Sequence, residues 1–241
     1  ISGGTVNVNS IGAVNPTSLV FSSGTLGGTG TISISGLTTW TGGTMTAAGT
    51  TNANGGISFS GVFVQDLRSS RILNTAGTTT WTGTGGIRPG LGAVINNSGT
   101  WDCQSDATMS NPFGGTAAFN NNGTGTFKKS AGTGTSSVSI PFNNTGTVDV
   151  QSGTINFSGG GTSTGAFTGS GTLQFGGGTH DLGAASSINI PTVVSAGTVN
   201  VAGSLSGAAL TISGGTVNVN SIGAVNPTLL VFSSGTLGGT G

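Results

Sequence analysis

The sequence predicts an all-β chain wound as a right-handed parallel β-helix, a β-solenoid of about ten coils of roughly 21 residues. Three observations predict it. The composition is rich in Gly and β-branched residues and nearly free of charge. A Gly-Thr signature returns at a near-constant interval. After each return, apolar and polar residues alternate.

Composition comes first. Of 241 residues 49 are Gly, 4% are charged and 33% are hydrophobic, with no Tyr and no Glu. Thr, Val and Ile favour a pleated, half-buried strand, and Gly, Asn and Ser make the turns between strands. No segment carries apolar residues at the i, i+3, i+4, i+7 spacing of a helix. The formal charge is zero, so the chain cannot build the basic stripe that nucleic acid requires. A neutral surface has little self-repulsion, which favours association with copies of itself. No apolar stretch approaches the roughly 20 residues of a membrane helix, so no membrane insertion is expected. No signal peptide is visible, because the first residues already belong to a repeat.

The repeat is a small theme: Gly-Thr, apolar, polar, apolar, often preceded by Asn or Ser. It is clearest in "INNSGTWDC", "FNNTGTVDV", "FTGSGTLQF", "VVSAGTVNV" and "TISGGTVNV". Its glycines are Gly4, Gly24, Gly43, Gly61, Gly77, Gly99, Gly123, Gly146, Gly171, Gly197 and Gly215, about 21 residues apart. The anchors at 61 and 77 are the weakest, since "SGVFV" lacks the Thr, and Gly125 competes with Gly123. After each anchor successive side chains point to opposite faces of a strand. Val6, Val8, Val148 and Val150 then point inward, and Thr5, Asn7, Thr147 and Asp149 outward. One such unit cannot bury its apolar face alone, and stacking on a neighbour closes the core. Right-handed crossovers are expected for parallel strands. A sandwich or barrel also has short strands and regular turns, but gives no reason for the same Gly-Thr to recur. A left-handed hexapeptide helix is excluded by the lack of a six-residue rule.

The chain also ends as it begins. Residues 212–241 repeat residues 1–30 with one difference, Ser18 against Leu229. The domain reading is therefore a single uncapped solenoid segment over 1–241, with 1–211 as one long unit and 212–241 as the start of the next.

The phrases "NNTGTVDVQSGTINFSGGGT" and "GSGTLQFGGGTHDL" resemble the β-strand repeats of very large bacterial surface proteins. They are similar to autotransporter passenger regions and filamentous-haemagglutinin-type adhesins. The resemblance implies a secreted or surface-displayed right-handed β-helix with no catalytic residues.

Candidate functional residues are few. His180-Asp181 is the one local pair that suggests acid–base work, and it reads as a turn His beside a solvated Asp. Calcium-binding solenoids repeat an Asp in each Gly-rich turn, which this chain does not. No cofactor or metal is expected. Cys103 falls at an inward position and reads as a small core residue. Thr5, Thr25, Thr44, Thr78, Thr100, Thr147, Thr172, Thr198, Thr216 and Thr236 are expected to form one ladder up one face. Asp102, Lys128 and Asp149 are expected to form an outward charge column, with Lys128 between the acids and Lys129 near a strand end where its stem reaches water. Asp66, Arg68, Arg71, Arg88, Asp102 and Asp106 crowd into 66–106, beside the excursions "GIRPGLG" and "QSDATMSNPFGG". That stretch reads either as solvated loops or as a lateral contact patch. Sequons at Asn96, Asn122, Asn143 and Asn156 carry little weight in a chain so rich in Asn, Ser and Thr.

Two functions fit. The leading one is a non-enzymatic structural segment of an extracellular or cell-surface fibre, stalk or sheath, built by end-to-end and lateral association of copies. The alternative is an adhesin that binds a surface glycan or receptor through loops 66–106.

Overall fold

A computed structural model gives the fold, and it describes residues 1–221 and 225–241. Of the second copy of the thirty-residue segment, residues 222–224 lie outside the described residues. The described residues form an all-β parallel solenoid of about twelve turns, with coils roughly 20 residues apart and no helix.

Each coil places short strands on three faces, visited in the order I, II, III. Face I begins with Ser2–Asn7 and Ser23–Gly27 and ends with Leu229–Phe232. Face II runs from Thr31–Ile34 to Thr236–Gly239. Face III is an eleven-stranded sheet from Leu19–Phe21 to Val225–Asn226. Faces I and II join into one 21-stranded sheet, because Thr172–Leu182 and Thr192–Val201 each bend across both. All strand pairings are parallel, so backbone hydrogen bonds run along the solenoid axis from coil to coil.

The Gly-Thr signature marks corners, for two physical reasons. At Gly197 the backbone takes φ +75°, a left-handed turn that side chains resist. At Gly146 the coils approach so closely that an added Cβ would lie 2.2 Å from the Gly125 carbonyl oxygen. One need or the other recurs on each face: Gly4, Gly24 and Gly43 before face I and Gly197 and Gly215 before face II take left-handed φ, while Gly99 and Gly146 before face III approach the neighbouring coil without it. Thr5, Thr25 and Thr44 stack on face I. Thr78, Thr100, Thr126 and Thr147 stack on face III. Thr198, Thr216 and Thr236 stack on face II. The single Thr ladder expected from the sequence is thus corrected to separate ladders. The anchor slides from face to face, so its ten intervals from Gly4 to Gly215 cover ten coils and one further face, and the rest of the twelve turns lies beyond Gly215.

The interior is continuous. Inward residues of face III carry an aromatic chain in which Phe21 and Trp40 centroids lie 5.7 Å apart, Trp40 and Phe59 5.6 Å, and Phe59 and Trp101 5.4 Å. Phe119, Phe127, Phe142 and Phe157 extend it. Trp40, Trp81 and Trp101 are fully buried. Aromatic pairs in these offset and edge-on geometries add about 0.5–1.5 kcal/mol beyond burial.

Face II supplies two asparagine columns that the sequence reading missed. On the outside, Asn74 Nδ2 donates to Asn52 Oδ1 at 2.8 Å, Asn96 to Asn74 at 2.9 Å, Asn120 to Asn96 at 2.8 Å and Asn143 to Asn120 at 2.9 Å. Later rungs of the same column add Asp181, Asn200 and Asn218. On the inside, Thr75 donates to Asn97, Asn97 to Asn121 and Asn121 to Asn144. These inner amides also bond the corner carbonyls: Asn97 reaches Gly99 O, and Asn121 reaches Gly125 O and Thr147 O. The doublets "NN" at 96–97, 120–121 and 143–144 are the visible trace of the two columns.

Removing an inner rung strands its partners in a buried site, whereas an outer rung borders solvent. Asn121→Ala is therefore expected to cost about 2–4 kcal/mol and Asn120→Ala about 1 kcal/mol or less. Urea unfolding of the two variants checks this ordering.

Candidate interaction surface

The six charges of 66–106 do not share one surface, which corrects the patch read from the sequence. Asp66 and Arg88 do meet. They stand on adjacent rungs of face I, with Arg88 Nε donating to Asp66 Oδ1 at 2.7 Å and Nη2 to Oδ2 at 3.0 Å. The Arg68 and Arg88 guanidinium carbons lie 5.4 and 5.3 Å from the centre of the Phe113 ring, within cation–π range.

Beside this cluster the segment "GVFV" leaves the coil. Val62 and Phe63 are each 71% exposed and Val64 is 40% exposed. Phe63, Asp66, Ser22, Ser23, Gly42 and Thr44 line an open groove of about 360 Å³. Phe63 and Phe113 are the surface residues that sequence reasoning missed. The signal was present, since three consecutive apolar residues break the alternation at the weak anchor Gly61.

The other charges turn inward or sideways. Arg71 is fully buried: Nε and Nη2 donate to Thr51 Oγ1 at 3.3 and 2.8 Å, and Nη1 donates to Gly28 O at 3.2 Å. Burial lowers its pKa to about 10, so it remains a cation at neutral pH. Lys129 is also fully buried, not near water as expected. Its Nζ donates to Asp106 Oδ1 at 2.7 Å, Ser136 Oγ at 3.0 Å and Ser105 O at 3.1 Å. The inward parity of Lys129 drives it into the core, and the Asp106 corner closes over its head. That hydrogen bond from Lys129 holds the Asp106 carboxyl below its ordinary pKa. The pair sits where the coil is longest, between Met109 and Val138 on face I. It ties the 105–106 corner to the 132–136 corner, with Gly134 N also donating to Asp106 Oδ2.

Asp102, Lys128 and Asp149 occupy successive rungs of face III. Among the described residues, however, the ion pairs are Arg88–Asp66 and Lys129–Asp106, and Lys128 joins neither acid. Each acid instead takes a side-chain amide two residues on: Gln104 Nε2 donates to Asp102 at 2.9 Å and Gln151 Nε2 to Asp149 at 2.8 Å. Ser130 Oγ also donates to Asp102, which is largely buried.

His180 lies in a strand, which corrects the turn expected for it. Its ring points inward on face II, 4.6 Å from the Phe175 ring, with Nε2 2.9 Å from Gly177 O. Asp181 faces outward and accepts from Asn200. The two side chains leave the strand on opposite sides, so they cannot act on one substrate. Cys103 is buried in the core, and desolvation pushes its thiol pKa up to about 12, far from a reactive thiolate. Among the described residues no three His, Cys, Asp or Glu side chains gather to hold a metal ion. Sequon residues Asn96 and Asn143 are rungs of the outer Asn column.

No protein-family model, curated protein or solved structure matches this chain.

Burial lowers the pKa of His180, so the folded chain holds it neutral while the unfolded chain takes up a proton below about pH 6.5. Stability is expected to fall as pH drops from 6.5 to 5, a window above the carboxylate range. His180 is the sole histidine, so His180→Phe is expected to flatten that dependence. Thermal melts of both chains across this range measure it. Lys129→Met should cost about 1–3 kcal/mol, because it leaves the Ser105 carbonyl and the Ser136 hydroxyl with one partner fewer. Urea unfolding at pH 7 reads that loss.

Proposed function

We propose that this chain is a structural segment of a long extracellular or cell-surface repeat protein, forming a fibre, stalk or sheath by stacking coil on coil. The observation that carries this reading is the continuity of axial bonding. Backbone ladders on three faces, the Asn columns of face II and the aromatic chain of the core all run along one axis. Such an object resists bending and solvent because opening any coil breaks bonds to both neighbours.

Copies of the chain itself are the proposed partners. The shared sequence of the two terminal segments supports continuation of one solenoid by another. The resemblance to bacterial autotransporter passengers and filamentous-haemagglutinin-type adhesins supports display outside the cell. So does the scarcity of protease sites: Arg71 and Lys129 are buried, which leaves Arg68, Arg88 and Lys128 nearer the surface.

Adhesion is the second reading, favoured by the groove beside Phe63 and Asp66. An exposed aromatic ring next to a carboxylate and several hydroxyls offers a sugar both a stacking face and hydrogen-bond partners.

Purified protein imaged by low-dose electron microscopy is expected to show rods of constant width with an axial repeat near 4.8 Å. Globular particles without that repeat would refute the fibre. Glycan-array binding abolished by Phe63→Ala would favour adhesion, and its absence would leave the groove without a sugar ligand.

A further inference from the structure

The two copies of the thirty-residue segment share an internal register. Thr5, Val6 and Asn7 pair with Thr25, Leu26 and Gly27, and the matching Thr216, Val217 and Asn218 pair with Thr236, Leu237 and Gly238. Their corners also agree: Gly4 and Gly215 have φ +66° and +68°, and Gly24 and Gly235 have φ +85° and +100°.

The copies nevertheless stand on different faces. In the first, Ser2–Asn7 and Ser23–Gly27 lie on face I. Val14 bridges to Ile32 on face II, and Leu19–Phe21 lies on face III against Thr38–Trp40. In the second, Thr216–Val219 and Thr236–Gly239 lie on face II. Val225–Asn226 lies on face III against Leu205 and Ser206, and Leu229–Phe232 on face I against Ala209–Ile212. Every strand of the segment has moved one face forward.

We infer that the 211-residue unit advances the solenoid by ten coils and one further face, so that successive units of a tandem array are each turned by one face. This rests on the reading of the chain as part of such an array. The turn is permitted because the left-handed glycine corners of the segment fit face I and face II alike, and Gly-Thr corners recur on face III as well. The cassette carries its register from one face to the next.

The consequence is an interaction surface that winds around the fibre. The cluster of Phe63, Asp66, Arg88 and Phe113 opens from face I in one unit, from face II in the next and from face III in the third. It returns to face I at the fourth. With coils about 4.8 Å apart, one unit spans roughly 50 Å and the full return roughly 150 Å. A second fibre lying alongside therefore meets the same patch from any of three directions. An array of whole coils would instead confine it to one side.

Two measurements test this. In the 241-residue chain, Ser206→Cys with Asn226→Cys places thiols on adjacent outward rungs of face III only if the second copy has moved forward. Strand neighbours at this spacing fall within the range a disulfide bridges. Ser58→Cys with Thr80→Cys is the control, on rungs whose pairing does not depend on the second copy. Cys103 is buried and stays reduced. Mild oxidation is expected to cross-link both pairs. A control that links while 206–226 stays reduced overturns the inference, and a control that fails overturns the solenoid register itself. The second measurement images three units joined head to tail, labelled at one outward site per unit. Labels turned by one face per unit support the inference, and labels on one straight line overturn it. Separate beads in place of a rod would defeat the array reading and the inference with it.

Discussion

Parallel, in-register pairing of each coil with the next is the constraint from which the rest of the molecule follows. A coil of roughly 20 residues points its backbone N–H and C=O groups along the axis, where no group of the same coil can meet them. Neighbouring coils must therefore present strands at matching positions. Matching positions in turn set like residues above like. Side chains that attract their own kind survive in such columns: asparagine through amide pairs, threonine through close packing, aromatic rings through stacking. Side chains that repel their own kind do not. This accounts physically for a chain with 4% charged residues.

Three of the ten charged side chains act as staples. Arg71 bonds the Gly28 corner and the inward Thr51 hydroxyl of earlier coils, and the Lys129–Asp106 pair holds the longest coil closed. Burying an ion costs several kcal/mol unless its hydrogen bonds are met. Three acceptors surround the Lys129 ammonium, and Arg71 finds a hydroxyl and a carbonyl in place of a carboxylate. Both cations anchor corners, where irregular backbone leaves carbonyls free to accept. The surface charge is thereby reduced further, which leaves the half-buried Asp66, Arg88 and Phe113 beside the exposed Phe63 as a cluster on the flank of the solenoid.

Much of the fold was legible in the residues, and the reasons can be traced. Val148 and Val150 point inward and Thr147 and Asp149 outward because a strand alternates, whatever its face. Cys103 was readable as core from the same parity. The candidate surface was less legible. Arg71 and Asp66 look alike as members of a charged stretch, yet one closes a corner from inside and the other faces solvent beside Arg88. Lys129 has an inward parity that the sequence shows. The acceptors that make burial tolerable come from Ser105, Asp106 and Ser136, which no spacing rule connects to it. Phe63 and Phe113 are separated by fifty residues of chain and meet the same Asp66–Arg88 pair through the stacking of coils.

What the sequence determined by itself was local and periodic: strands of alternating residues, corners of Gly and Thr, and a coil short enough to recur about every 20 residues. These depend on backbone sterics and side-chain parity, which act between neighbours in the chain. What the tertiary structure alone decided was phase: which face each Gly-Thr cassette occupies, which charges close inward, and where the second copy of the thirty-residue segment sits. Phase is a running total of coil lengths, and those lengths vary from the short Phe157–Phe175 step to the long Met109–Val138 one. No local rule records that total, because Gly-Thr corners occur on every face and only the stacked coils below a corner fix where it falls.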